Sequence, residues 1–242
     1  MSAPITVYGF GSFGALPDVS PFVHKLENYL RLAGLAYDKQ PGNIRTAPRG
    51  KLPYIEHDGR KVPDSQGAIR YLAEAGLADL DAHLDADARA DAFALRSMIE
   101  RDLYFVVTYF RWQTDAGWAA YGPTIRAVIA SSGVPSFLLG MIVGAVRKAT
   151  LKQLFAQGTG RMDEPEIVAH GQRILETLDQ FAGRRGGPLF FGDAPSTLDA
   201  VVHAFVAGIV EPPIDSPLKA IARAQTALMA RYEAIDARLA SR

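Results

Sequence analysis

Gly50-Lys51-Leu52-Pro53-Tyr54-Ile55-Glu56-His57-Asp58-Gly59-Arg60-Lys61-Val62-Pro63-Asp64-Ser65 holds two short β-type runs on either side of an Asp-Gly pair, followed by a helix cap. An Asp-Gly pair between such runs is a hairpin signal, so the two strands are antiparallel. Asp64 and Ser65 offer acceptors to the free N–H groups of a helix start, and Ile69 and Leu72 continue that helix until Gly76. Upstream, Ile5-Thr6-Val7-Tyr8 reads as a strand and is followed by a Gly-rich bend. Ser20-Pro21 opens a helix whose apolar residues Phe22, Leu26, Leu30 and Ala33 recur at helical spacing before Gly34 stops it. Leu35-Ala36-Tyr37 is expected as a short second strand. The order strand, helix, strand, hairpin, helix predicts an α/β domain with a mixed sheet over residues 1–80.

Beyond a linker near Leu77 to Asp85 the pattern becomes helical, which predicts an all-α domain over residues 86–242. Leu95, Ile99, Leu103, Val106 and Phe110 mark one face of a long helix. Asp163-Glu164-Pro165-Glu166 and Ser196-Thr197-Leu198-Asp199 each read as a capping box ahead of an apolar run. A last helix is expected from Leu218 to Leu239. No charge occurs between Arg126 and Arg147, but Ser131-Ser132-Gly133 and Pro135 interrupt that stretch. Its continuously apolar part, Val134 to Val146, has the length of a buried core helix rather than a membrane span.

The composition narrows the chemistry. The 242 residues carry 26 Lys plus Arg against 26 Asp plus Glu, and such neutrality argues against a nucleic-acid partner, which needs a surplus of base. With no cysteine there is no disulfide, thiolate metal site or Cys nucleophile, so any sulfur chemistry comes from a ligand. His24, His57, His83, His170 and His203 show no metal-ligand spacing, and no metal is expected. The first residues lack the basic region and apolar run of a signal peptide, so a cytoplasmic location is expected.

Gly9-Phe10-Gly11-Ser12-Phe13-Gly14 fits the G-x-G-x-x-G dinucleotide fingerprint, with Asp38 as a ribose ligand. That motif works only when a helix opens within the glycines. Here the helix signal waits until Ser20, and an antiparallel hairpin stands where a parallel strand is needed. The glycines are better read as a loop.

Ser20-Pro21-Phe22-Val23-His24-Lys25-Leu26, Gly50-Lys51-Leu52-Pro53-Tyr54-Ile55 and Asp64-Ser65, in this order, resemble the glutathione transferase superfamily. Gly158-Thr159-Gly160-Arg161 and Phe191-Gly192-Asp193-Ala194-Pro195-Ser196-Thr197-Leu198-Asp199-Ala200 are similar to the branch that includes metaxins and failed-axon-connections proteins. The resemblance implies a thioredoxin-like domain followed by a helical domain, glutathione as co-substrate, a small apolar electrophile and a homodimer. Residue by residue, it makes Pro53 a cis-proline and Leu52 the main-chain holder of the cysteinyl part. Asp64 and Ser65 then take the γ-glutamyl group, and Lys51 the glycyl carboxylate. Ser196 and Asp199 match a structural box.

The resemblance also implies a hydroxyl that activates the thiol. Ser20 is the first candidate, preceding Pro-Phe at a helix start, with Tyr8 and Ser12 in reserve. The electrophile pocket is expected in the aromatic segment that holds Tyr104, Tyr109, Trp112, Trp118 and Tyr121. Two other functions fit the same fold: a non-catalytic protein that binds glutathione or a protein partner, and a metaxin-like, membrane-associated interaction protein.

Overall fold

The computed structural model describes residues 4–241. Four strands, β1 (Ile5–Gly9), β2 (Tyr37–Pro41), β3 (Tyr54–His57) and β4 (Arg60–Pro63), form one sheet in the order β2-β1-β3-β4. β1 is parallel to β2, with Ile5 opposite Tyr37, and antiparallel to β3, with Val7 opposite Ile55. The β3–β4 hairpin turns at Asp58 and Gly59, whose φ values of 50° and 70° are those an Asp-Gly turn supplies.

Helix α1 (Pro21–Leu32) begins at the expected Ser-Pro and is closed by Gly34 as expected. Gly34 takes φ 69°, its N–H bonds the carbonyl of Arg31, and the Leu35 N–H bonds that of Leu30 at 2.9 Å. This paired closure consumes Leu35 in ending the helix. The second strand therefore spans Tyr37–Pro41 instead of Leu35 to Tyr37. Helix α2 (Ser65–Glu74) follows the hairpin.

The helical half comprises α3 (Ala86–Met98), α4 (Tyr104–Trp112), α5 (Asp115–Ser131), α6 (Ser136–Gln157), α7 (Glu164–Gly183), α8 (Thr197–Val210), α9 (Pro217–Ala224) and α10 (Thr226–Ala240). α3 runs into α4 through a π-helical turn at Ile99–Leu103, and the predicted face from Leu95 to Phe110 is buried throughout. The single last helix is two, because Gln225 is extended (ψ 92°) and breaks the chain between α9 and α10. The box before α7 is reciprocal: Asp163 accepts from the Glu166 N–H at 2.8 Å, and Glu166 from the Asp163 N–H at 3.0 Å. Before α8, the buried Asp199 carboxylate accepts from Ser196 N–H (2.7 Å), Ser196 O–H (2.6 Å) and Phe190 N–H (2.9 Å).

Every residue of α8 is buried, and α1 packs against it, so α1 has the sheet on one side and the helical half on the other. The Asn28 amide on α1 reaches the Ala200 carbonyl and the His203 ring of α8. The expected burial of Val134 to Val146 is not found. Within α6 only Leu139 and Leu154 are buried, while Phe137 is 82% and Met141 66% exposed. α6 lies outside α4 and α5, and its apolar residues ring the helix, so one face cannot take them all inward. Among the described residues, no helix is long and apolar enough to cross a membrane.

Candidate functional site

A cleft of about 630 Å³ opens between the two halves. From the sheet side it is lined by Phe10, Ser20, Phe22, Lys51 and Leu52, and from the helical side by Tyr104, Thr108, Arg111, Trp112 and Tyr121. The order of elements brings these together: α1 starts and the segment before β3 ends at the same edge of the sheet, facing α4 and α5.

Ser20 stands at the N-cap of α1 with extended backbone, and its side chain makes no capping hydrogen bond. Its hydroxyl is therefore not spent on the role in which a serine most often serves at that position. The backbone there is held instead by Asp18, which is 1% exposed. One Asp18 oxygen accepts from the Ser20 N–H at 2.9 Å, and the other from the Phe10 and Gly11 N–H groups at 2.9 and 3.0 Å. Lys39 pairs with it at 3.1 Å. A Cβ on Gly9 would sit 2.6 Å from that same carboxylate, so Gly9 serves its close approach. Asp38 is exposed, and α1 starts well beyond Gly14, so the glycines form a loop as expected.

The peptide bond between Leu52 and Pro53 is cis. Neither the N–H nor the C=O of Leu52 is used in a main-chain hydrogen bond among the described residues, and Leu52 and Lys51 both face the cleft. The Pro53 carbonyl accepts from the Asp64 N–H at 3.1 Å, tying the start of β3 to the start of α2. Asp64 has φ 72°, a left-handed conformation that costs a non-glycine residue about 1–3 kcal/mol and is found mostly where a site demands it. Its Oδ1 caps α2 through Gln66 and Gly67. Asp64 and the buried Ser65 do not line the cleft itself. They connect to it through Gln66, whose side-chain carbonyl accepts from Lys25 Nζ at 3.2 Å. Lys25 is fully buried and pairs with Glu100 of the cleft wall at 2.5 Å. Burial pushes the Lys25 pKa down, against the pull of Glu100.

The two reserve hydroxyls lie elsewhere. Ser12 is exposed and away from the cleft. Tyr8 stacks on Tyr54 at 4.3 Å and donates to Glu56 at 3.3 Å, and partial burial followed by that carboxylate raises its pKa. Of the aromatic segment, Tyr104, Trp112 and Tyr121 face the cleft. Tyr109 does not; its hydroxyl donates to Glu164 at 3.2 Å, because it lies on the α4 face turned toward α7. Trp118 packs under Arg147 outside the cleft. Among the described residues no group of three or more His, Asp or Glu is placed to hold a metal ion.

The sequence reading missed Asp18, Glu100 with Lys25, and Arg111. A signal existed for two of them: Asp18 stands two residues before a cap serine, the spacing of an Asx turn, and Arg111 is a charge inside the otherwise apolar run Tyr109-Phe110-Arg111-Trp112.

A family model for the glutathione S-transferase N-terminal domain matches residues 21–117. The isoprene-epoxide–glutathione S-transferase of Rhodococcus sp. (strain AD45) is 34% identical over 215 residues, covering 86% of this chain and 88% of that protein. The chain belongs to the glutathione S-transferase family. The failed axon connections protein of Drosophila melanogaster is 30% identical over 83% of this chain, but this chain spans only 49% of it. In fold, a glutathione transferase of Phanerochaete chrysosporium superposes with a TM-score of 0.65 at 13% identity, covering 98% of each chain. The thioredoxin-like sheet half followed by a helical half is the architecture the sequence predicted.

Proposed function

We propose that the protein is a glutathione transferase that activates the glutathione thiol at Ser20 and adds it to a small apolar epoxide-type electrophile. Residues 1–80 hold glutathione and residues 86–242 supply the electrophile wall, in a homodimer. The observation that carries the reading is the Ser20 hydroxyl, free of capping duty, at a helix N-terminus on the cleft wall that Leu52 also lines. The unused main-chain groups of Leu52 suit the cysteinyl part of glutathione, and exposed Lys51 at the rim suits the glycyl carboxylate. Asp64 and Ser65, linked to the wall through Gln66, suit the γ-glutamyl end. The epoxide class is supported by the name of the Rhodococcus relative and by the apolar helical wall.

The energetics fit. Lowering a thiol pKa by about 2 units takes about 2.7 kcal/mol. One hydrogen bond to an anion contributes about 1.5–3 kcal/mol, and a helix N-terminus about 0.3–1 kcal/mol more. With the thiolate formed, its sulfur attacks a ring carbon, the C–O bond breaks and oxygen takes a proton.

The test is Ser20→Ala. Loss of the hydrogen bond to an anion lowers kcat/KM by about 10- to 100-fold, leaves glutathione affinity within about 2-fold and raises the bound thiol pKa. Equal rates and equal thiol titrations for the two proteins would remove Ser20 from this role. Wild-type binding to glutathione with no thiol addition to any of several epoxides would favour a binding protein of the same fold.

A further inference from the structure

Arg111 is 5% exposed, it lines the cleft, and among the described residues no carboxylate pairs with it. Its two terminal nitrogens donate to main-chain carbonyls, Nη1 to Val19 at 3.1 Å and Nη2 to Gly208 at 2.8 Å, while buried Nε has no partner. The rings of Phe13 and Tyr121 lie 5.8 and 5.3 Å from its central carbon. A guanidinium taken out of water normally acquires a carboxylate, since carbonyl dipoles and ring faces offset only part of the lost hydration. Here no carboxylate lies within 4 Å of the charge, which sits in the wall of a mostly apolar cleft, one residue away from Ser20 through its bond to Val19.

We propose that Arg111 is the anion-receiving group of the electrophile wall, and that it selects electrophiles whose attacked carbon gives up its bond to oxygen. The inference rests on the transferase reading above. The sulfur lone pair of the thiolate forms the S–C bond, the C–O bond breaks, and its electron pair moves onto oxygen. Negative charge thus travels from the Ser20 side of the cleft to the Arg111 side. Arg111 stabilises the alkoxide until it takes a proton from water, and this proton replaces the one glutathione released on ionising. An electrophile that loses iodide needs no such help, because iodide is a weak base and carries its own charge away.

Two measurements test this. In the first, kcat/KM is compared for an epoxide and a primary alkyl iodide in wild type, Arg111→Gln and Arg111→Lys, each checked for wild-type melting. Removing a charge-stabilising donor costs about 10²–10³-fold, so Arg111→Gln loses that much on the epoxide and under about 10-fold on the iodide, with Arg111→Lys in between. If Arg111 only props the Val19 carbonyl, both electrophiles lose equally, and that result overturns the proposal. The second measurement uses wild type alone, so a variant that fails to fold does not block it. S-carboxymethylglutathione and its neutral isostere S-carbamoylmethylglutathione differ only in the charge beside sulfur. The anion should bind about 10-fold more tightly, a gain of about 1.4 kcal/mol, and equal or weaker binding overturns the assignment. Should wild type turn over neither electrophile, the transferase reading falls while this ligand pair still decides whether Arg111 receives an anion.

Discussion

The two walls of the cleft are built on different principles. The sheet-side wall consists of chain ends: the loop before α1 and the segment before β3, presenting a small hydroxyl and unpaired main-chain groups. The helix-side wall consists mainly of side chains projected from α4 and α5, mostly aromatic and aliphatic, with Arg111 and the Lys25-paired Glu100 as its charges. Main-chain groups recognise one fixed shape, since their positions follow from the fold; large apolar side chains accept many shapes of similar size. The first wall suits a constant co-substrate, the second a variable electrophile. This difference should appear in how each wall fails.

The sheet-side wall should fail most completely, at Asp18. Its carboxylate holds three N–H groups and Lys39, and it is almost wholly buried. Asp18→Ala leaves those three donors without a partner while Lys39 keeps Glu27 and the Pro17 carbonyl, a loss of about 3–5 kcal/mol. For a chain of this length that lowers Tm by about 6–20 °C. Differential scanning calorimetry checks it, and thiol addition should fall for every electrophile alike. A Tm within about 2 °C of wild type would mean that water replaces the carboxylate as acceptor.

Behind both walls, where α1 meets α8, His24 is 5% exposed and faces the His203 ring edge-on at 5.6 Å. Burial, then the surrounding His203, Lys39, Arg31 and Arg111, push its pKa down to about 3. The unfolded chain protonates this group near 6.5, so below that pH it binds a proton the folded protein refuses, and stability falls as pH drops toward 3. At pH 4.5 the loss is about 2–3 kcal/mol relative to pH 7. Urea unfolding of wild type and His24→Leu at both pH values measures it, and the variant should lose that much less on acidification. Parallel losses in the two proteins would show that other groups, the carboxylates and the buried His203, set the acid sensitivity.

The division between the walls also explains what could be read from the chain. The sheet-side elements are local: Ser20-Pro21, Asp58-Gly59 and Asp64-Ser65 each determine their own backbone within a few residues, and all three lie where the pattern placed them. The helix-side wall depends on which face of α4 and α5 meets α1, and that is settled by packing over long sequence separations. Tyr104, Tyr109 and Trp112 have equal claims in the sequence, yet Tyr109 turns toward α7. Arg111 and Glu100 acquire meaning only once Val19, Gly208 and Lys25 are brought beside them. The boundaries of β2 and of α10 shifted for local reasons, a paired helix closure and one extended residue, that periodicity does not register.

The helix-side wall should fail selectively. Trp112 lines the cleft, and its ring lies 5.3 Å from that of Tyr121. Trp112→Ala opens the wall without touching Ser20 or Leu52. The KM for an apolar electrophile should rise about 10-fold, a loss of about 1.4 kcal/mol, while the KM for glutathione stays within about 2-fold. Steady-state kinetics with each substrate varied in turn distinguishes the two. An equal rise in both would mean that the two walls are one recognition surface.

The smallest effect belongs to the outward-facing start of α6, a helix whose Val146, Thr150 and Gln153 reach the cleft but whose Phe137 does not. α8 and α6 are both rich in apolar residues, yet α8 is buried at every position while α6 shows Phe137 and Met141 to solvent. Burial, not composition, decides what an apolar residue contributes, since the free energy follows the area removed from water. Phe137 has little area to lose, so Phe137→Ser should change unfolding free energy by less than about 0.5 kcal/mol in dilute solution. The same exchange at buried Phe205 on α8 should cost at least about 3 kcal/mol. If Phe137→Ser instead costs more than about 1 kcal/mol, and the cost grows with protein concentration, then a second copy covers this face. Melting curves of wild type and Phe137→Ser at two concentrations a hundredfold apart separate those outcomes, because a dimer formed through another face moves both Tm values alike on dilution, whereas one formed through Phe137 moves the wild type more.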